Sequence, residues 1–278
     1  MKHFTTPDGL ALAWQEEGGG TPLLCLPGLT RDNADFDDLA AALGGRYRLI
    51  RLTFRGRGLS DRDSEFLNYN PGREAEDVVA FIDHLGLDRV VVVGTSRGGL
   101  VALVLAAIAK PRLAGVLLND IGPEVAPGGL EVIMSYLGIR PRAQTFPEVA
   151  AALKTRMGEA FPTLADARWE ALARRWFREE PGGGIGLTYD PKLRDAVEAL
   201  SVQPAADLWP LFDLLDGVPL AVVRGANSHL LTAETVARMR ERRPDLIVAE
   251  VPDRGHVPFL DEPEALAALQ ALIVRSGL

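Results

Sequence analysis

Ser96 stands in the run Gly94-Thr95-Ser96-Arg97-Gly98, directly after four valines (Val90 to Val93) and directly before a stretch of small residues. A serine hydroxyl is a weak nucleophile, so a fold that uses one must expose it and put a base beside it. A very tight strand-to-helix turn achieves the exposure. It strains the serine backbone and leaves no room for side chains two positions away on either side, and Gly94 and Gly98 have none. Gly99 relieves the crowding further. The hydroxyl then stands at a helix N-terminus, where the dipole favours developing negative charge. Ser96 is the candidate nucleophile.

The base is sought among four histidines. His3 is near the terminus and His84 lies in the helical stretch Asp83-His84-Leu85; neither is placed for chemistry. His256, in Gly255-His256-Val257-Pro258, falls between the last strand pattern and the last helix pattern. A loop at the carboxyl end of a parallel strand shares the rim on which Ser96 sits, so His256 is the candidate general base. An attacked carbonyl also needs donors for its oxyanion. The N–H of Arg97 follows the nucleophile directly. The second donor is expected after the apolar run Leu23 to Leu26: Pro27 has no N–H, Gly28 allows a sharp bend, and the N–H of Leu29 is next. Losing one such donor typically costs about 3 kcal/mol of transition-state stabilisation.

The elements that must hold these groups alternate. Strand patterns at Leu10 to Trp14, Leu23 to Leu26, Tyr47 to Leu52, Val90 to Val93 and Leu113 to Asn119 interleave with helix patterns at Asp35 to Leu43, Ala75 to Leu85 and Arg97 to Ala109. The continuous apolar strands are those of a sheet buried on both faces. After Asp120 the pattern changes. Residues 122–209 read as helical and irregular, with six prolines from Pro123 to Pro181, the loop Gly182-Gly183-Gly184 and no buried strand. The strand–helix order resumes with strands at Val218 to Arg224 and Leu246 to Val251 and helices at Thr232 to Arg242 and Glu262 to Ser276. This predicts an α/β core of residues 1–121 and 210–278, with a mostly parallel sheet between helices and a helical cap inserted at 122–209.

Composition narrows the function. With 278 residues, 47% hydrophobic, the chain can bury a sizeable core. A net charge of −8 without a basic stripe speaks against a nucleic-acid partner. Leu100 to Ala109 is too short to cross a membrane, and Met1 to Pro7 lacks a signal's apolar core, which points to the cytoplasm. Cys25, the single cysteine, is expected as a buried small hydrophobe. Nothing calls for a metal or an organic cofactor; the expected partner is a small-molecule substrate, with the chain a monomer or homodimer.

Five segments resemble the α/β-hydrolase family in order along nearly the whole chain. Leu26-Pro27-Gly28-Leu29-Thr30 resembles its oxyanion turn, and Arg55-Gly56-Arg57-Gly58-Leu59-Ser60-Asp61 its loop after the fourth strand. Gly94-Thr95-Ser96-Arg97-Gly98-Gly99 resembles its nucleophile elbow, Leu118-Asn119-Asp120-Ile121-Gly122-Pro123 the start of its cap, and Gly255 to Pro263 its histidine loop. The resemblance implies an eight-stranded, mostly parallel sheet with a helical cap after the sixth strand. Thr53 stands where many members are acidic and is read as structural.

One position departs from the pattern. The family usually carries its triad acid in a segment like Gly-x-x-Ser-Asp-Leu-Leu; here it reads Gly225-Ala226-Asn227-Ser228-His229-Leu230-Leu231, with His229 in the aspartate position. A histidine cannot orient His256 and stabilise its imidazolium as a carboxylate does. Three readings stand open. The acid has moved to Asp120, at the end of the preceding strand, whose other role would be a cap hinge accepting backbone hydrogen bonds. Or His229 disables the enzyme, leaving a ligand-binding protein. Or Ser96 and His256 work as a dyad with water, and His229 belongs to the pocket. Asp253 and Asp261 are better placed to cap the loop and the last helix.

The inserted segment carries Met134, Tyr136, Trp169, Trp176, Phe177, Tyr189 and Trp209. Most such residues pack the insertion on the core, and together they imply a covered, mostly apolar pocket. Charged pocket chemistry is not evident. The expected activity is hydrolysis of a small or medium, mostly apolar ester or lactone. Peracid formation and carbon–carbon bond hydrolysis would use the same Ser–His pair, whereas a dehalogenase needs a carboxylate nucleophile.

Overall fold

The valine run forms β5 (Val90–Thr95), buried along its whole length in the computed structural model, which describes residues 1–201 and 206–278. Parallel neighbours flank it: β3 (Pro22–Leu26) and β4 (Arg48–Leu52) on one side, β6 (Leu113–Asn119), β9 (Leu220–Gly225) and β10 (Ile247–Val251) on the other. β1 (Lys2–Thr5) and β2 (Ala11–Glu17) complete the edge antiparallel, giving the eight-stranded order β1-β2-β4-β3-β5-β6-β9-β10.

Alternation along these strands sends their side chains to two cores. Leu24, Leu26, Val90, Val92, Val116 and Leu118 pack beneath α2 (Pro71–His84), α3 (Arg97–Ile108), α8 (Trp209–Asp213) and α9 (Ala233–Arg242). Leu23, Cys25, Val91, Val93 and Leu117 face α1 (Asp37–Leu43) and α10 (Pro263–Ser276). Each buried Val or Leu contributes about 1.5–3 kcal/mol over leaving it in water. Cys25 is fully buried, and burial pushes its thiol pKa up, which leaves it inert.

Between Asp120 and α8 lie α4 (Gly129–Met134), α5 (Phe146–Met157), α6 (Asp166–Trp176), β7 (Phe177–Glu179), β8 (Ile185–Leu187) and α7 (Leu193–Ser201). Val149, Leu153, Phe161, Trp169 and Leu172 give this segment a small core of its own. It is tied to the first turn of α1 and to the segment before α2: Arg168 and Arg175 pair with Asp38, and Tyr69 Oη donates to Asp190 Oδ2 at 2.8 Å.

Two strand elements depart from the sequence reading. β1 was not expected, and the segment read as free of buried strand contains the hairpin β7–β8, in which Ile185 to Leu187 is buried. Strands of three residues are too short for a period of two to register, and Gly182-Gly183-Gly184 reads as loop because it is the hairpin's turn, with Gly183 and Gly184 at φ of 87° and 79°. α2 also starts earlier, at Pro71, because Asn70 Oδ1 caps Arg73 N–H at 2.9 Å.

Candidate active site

At the end of β5 the chain turns sharply, and Ser96 takes φ 49° and ψ −110°, outside the conformations ordinary residues prefer. The turn is held by close packing. A Cβ on Gly94 would come within 2.6 Å of the Gly98 carbonyl oxygen, and one on Gly98 within 2.0 Å of the Leu26 carbonyl oxygen. A Cβ on Gly99 would meet Ile121 Cγ2 at 2.2 Å, so all three positions need glycine. Ser96 N–H donates to Asn119 O at 2.9 Å, carrying the β5–β6 ladder into the turn.

The histidine loop arrives on the same rim. His256 Nε2 lies 2.9 Å from Ser96 Oγ, and His256 Nδ1 lies 2.7 Å from Asp120 Oδ2. Asn119 Nδ2 donates to Pro258 O at 3.0 Å and to Thr95 Oγ1 at 3.1 Å, fixing the loop against β5 and β6. Asp120 itself is fully buried. It accepts from Gly225 N–H at 2.8 Å on Oδ1 and from the Ser228 hydroxyl at 2.6 Å on Oδ2. The carboxylate is thereby aimed at the imidazole from the end of β6, while the last residue of β9 and the loop after it supply two of its donors.

His229 lies beside this array and does not complete it. Its ring meets the His256 ring edge-on, with centroids 5.9 Å apart. Burial, reinforced by His256 and opposed by Asp120, holds His229 below the ordinary histidine pKa. Asp261 pairs with Arg168 at 3.2 Å. Thr53 is fully buried, its hydroxyl donating to Asn33 Oδ1 at 2.8 Å and accepting from Asn33 N–H at 3.0 Å.

The N–H groups of Leu29 and Arg97 have no hydrogen-bond acceptor among the described residues. A Cβ on Gly28 would meet Ser96 Cβ at 3.9 Å, an ordinary contact, which puts the turn beside Ser96 without demanding glycine there. Buried charges hold both donors. Arg57 Nε donates to the Leu29 carbonyl at 2.8 Å. Arg57 also pairs with Glu74 at 2.7 Å, and Glu74 takes Arg97 Nε at 2.7 Å. The Arg-Gly-Arg-Gly loop therefore acts at a distance, as a brace for the Leu29 turn and for the start of α3.

A cavity of about 200 Å³ opens over Ser96 and His256, walled by Leu29, Tyr136, Trp176, His229 and Phe259. Trp169 is buried among Val149, Leu153, Phe161 and Leu172, and Trp209 packs on Phe212. Arg31 and Arg156 also line the cavity, contrary to the expectation that charge is not evident there. Arg31 follows the oxyanion turn directly, which was a signal for it. Arg156 comes from α5, where its helical spacing is that of a solvated face, and no local pattern marks it. Ser228, which donates to Asp120, carries no signal of its own in the sequence, a lone serine in a loop being an ordinary turn residue. Among the described residues no group of histidine, cysteine and carboxylate side chains could hold a metal ion, and no helix is long and apolar enough to cross a membrane.

Comparison with known proteins identifies the fold's relatives. The model of the alpha/beta hydrolase family matches residues 23–269. The 3-hydroxybutyrate-oligomer hydrolase of Cupriavidus necator is 37% identical over 262 residues, covering 91% of this chain and 88% of its own. The 2-(acetamidomethylene)succinate hydrolase of Mesorhizobium japonicum is 25% identical over 95% of this chain and 90% of its own. The crystal structure of an alpha/beta hydrolase from Novosphingobium aromaticivorans superimposes with a TM-score of 0.92 at 40% identity, covering 99% of this chain and 97% of that one. With its strand order, its elbow at Ser96 and these relatives, the chain belongs to the alpha/beta hydrolase family.

Proposed function

We propose that this hydrolase cleaves a small or medium carboxylic ester through an acyl-enzyme on Ser96. The observation that carries the reading is the continuous relay from Ser96 Oγ to His256 Nε2 at 2.9 Å and from His256 Nδ1 to Asp120 Oδ2 at 2.7 Å. His256 takes the serine proton as the hydroxyl attacks and returns it to the leaving alcohol. Asp120 holds the imidazole in the tautomer that attack requires and stabilises the imidazolium. The Leu29 and Arg97 N–H groups receive the oxyanion, and water admitted through the cavity resolves the acyl-enzyme by the same relay in reverse.

Asp120 is thus the displaced triad acid, and residues 122–209 serve as a cap that closes the pocket. That placement favours a working enzyme over a disabled one: His256 already has a carboxylate partner, so His229 leaves nothing missing. The Cupriavidus necator relative is a 3-hydroxybutyrate-oligomer hydrolase. Hydroxy acids oligomerise through ester bonds, which supports an ester over an amide as substrate.

The test is turnover of p-nitrophenyl butyrate by Ser96→Ala. Its kcat is expected to fall by at least about 10³, with the fold retained by circular dichroism. Wild-type rates in that variant would end the reading. A phenylmethylsulfonyl adduct found on Ser96 by mass spectrometry in the wild type, and absent from Ser96→Ala, would support it independently.

A further inference from the structure

Most arginines near the site are neutralised, but four are not. The catalytic cavity continues into a second chamber of about 320 Å³, and the two share Arg31, Tyr136, Arg156 and Trp176 as walls. Arg140 and Arg142 line the second chamber as well, and no acidic residue does. Among the described residues none of these four arginines is in an ion pair, although the chain carries a net charge of −8. The one carboxylate on the first chamber's wall, Asp35, accepts from Trp176 Nε1 at 2.9 Å.

The two shared arginines are arranged as receptors. The Arg31 guanidinium lies over the Trp176 ring at 3.6 Å, and that of Arg156 over the Tyr136 ring at 4.7 Å. Stacking occupies a guanidinium's face and leaves its N–H edge free for planar, bidentate partners. Partial burial against the cavity wall, opposed by Tyr136 and reinforced by Arg31, lowers the Arg156 pKa from the ordinary arginine value. Arg140 donates to the carbonyls of Ile185 and Gly183 and is fixed to the hairpin instead.

We propose that Arg31 and Arg156 bind a free carboxylate on the substrate, so that the enzyme selects short esters carrying a carboxylate at one end over neutral esters of the same size. The inference rests on Ser96 being the nucleophile. The anion sits between the stacked guanidiniums while the ester carbonyl lies at Ser96. With a hydroxy-acid ester, the acyl carbon–oxygen bond breaks as the Ser96 oxygen–carbon bond forms. The serine proton passes through His256 to the departing hydroxy acid, and water returns a proton to Ser96 when it releases the acyl group. Arg31 and Arg156 take no part in bond making; they set which ester is held.

The experiment compares two substrates that differ only in charge: 3-hydroxybutyrate esterified at its hydroxyl with butanoate, and the same ester with its carboxylate converted to a carboxamide. For the wild type, kcat/KM for the anion should exceed that for the amide by about tenfold or more, mostly through KM, as charge-assisted hydrogen bonds allow. In Arg31→Gln/Arg156→Gln that ratio should fall to about one. A ratio cancels any general loss of folded or active enzyme, because such a loss lowers both rates. No preference in the wild type, or an undiminished preference in the double variant, overturns the proposal. If the wild type hydrolyses neither ester nor p-nitrophenyl butyrate, the Ser96 reading itself has failed; if it hydrolyses the amide in a Ser96-dependent way without preferring the anion, only the arginine assignment has.

Discussion

The strands β6 and β9 lie side by side, with Asn119 level with Val223, and the loops that leave them converge on one imidazole. They are furnished in opposite ways. The β6 end presents Asp120, fully buried and bound to His256 Nδ1 at 2.7 Å. The β9 end presents His229, which is exposed to the cavity and touches His256 only through an edge-on ring contact. Yet the β9 end is not idle. Its Gly225 N–H and Ser228 hydroxyl are the donors that hold the carboxylate contributed by β6. On the proposed mechanism the acid is defined by where its oxygen stands relative to the histidine, and adjacent parallel strands can share that duty, one supplying the carboxylate and the other its hydrogen bonds.

The strongest way to break this comparison is Asp120→Asn. The amide keeps an oxygen for Gly225 N–H, so the fold should survive, while the Nδ1 partner loses its charge and the imidazole is free to adopt the wrong tautomer. Loss of the acid in a triad costs on the order of 10⁴ in turnover, and that is the fall expected in kcat for p-nitrophenyl butyrate. A loss below about tenfold in a variant that melts cooperatively would take the acid's role away from the β6 end.

Ser228→Ala probes the β9 contribution. A hydrogen bond to a charged group is worth about 1.5–3 kcal/mol, which as orientation of Asp120 corresponds to roughly ten- to a hundredfold in kcat. KM should hardly move, since Ser228 faces the carboxylate and not the cavity. Ser228→Thr, which keeps the hydroxyl, should recover most of the rate. Equal losses in the alanine and threonine variants would mean that the loop packing, and not the hydroxyl, is what matters.

The two strand ends also show what a sequence can and cannot disclose. β3, β5 and β6 were legible because burial on both faces demands continuous apolar runs, and the elbow was legible because Gly94, Gly98 and Gly99 each face an atom closer than a Cβ tolerates. Ser96 at the end of β5 and His256 in the loop after β10 stand 2.9 Å apart, as the strand–helix order led one to expect of their loops. That Asp120 would stand against His256 was not legible. Asp120 and His256 are 136 positions apart, and their contact follows from the stacking of strands, which leaves no local pattern. The same holds for Arg57, whose support of Leu29 spans 28 positions, and for Arg156, whose exposed face on α5 is indistinguishable in sequence from any solvated helix face. The β7–β8 hairpin was hidden by brevity instead.

The smallest effect is expected at the position that departs most from the family pattern. If His256 Nδ1 is already filled by Asp120, a carboxylate introduced by His229→Asp has no vacant site to occupy, and kcat should change by less than about tenfold. A rise of several orders of magnitude would instead show a disabled triad restored. The imidazole's own signature should appear in stability. His229 has a lowered pKa in the fold, so at a pH just below 6.5 the unfolded chain binds a proton there that the native chain does not. Wild-type stability should therefore rise with pH through the window from the lowered native pKa up to the ordinary one and be level above it. Thermal melts of His229→Asn, which has nothing to titrate at that position, should lack that increment and gain on the wild type as the pH falls. Identical pH profiles for the two proteins would mean that the imidazole, for all its nearness to His256, experiences no more than ordinary solvent, and that the difference between the two strand ends is carried by the carboxylate alone.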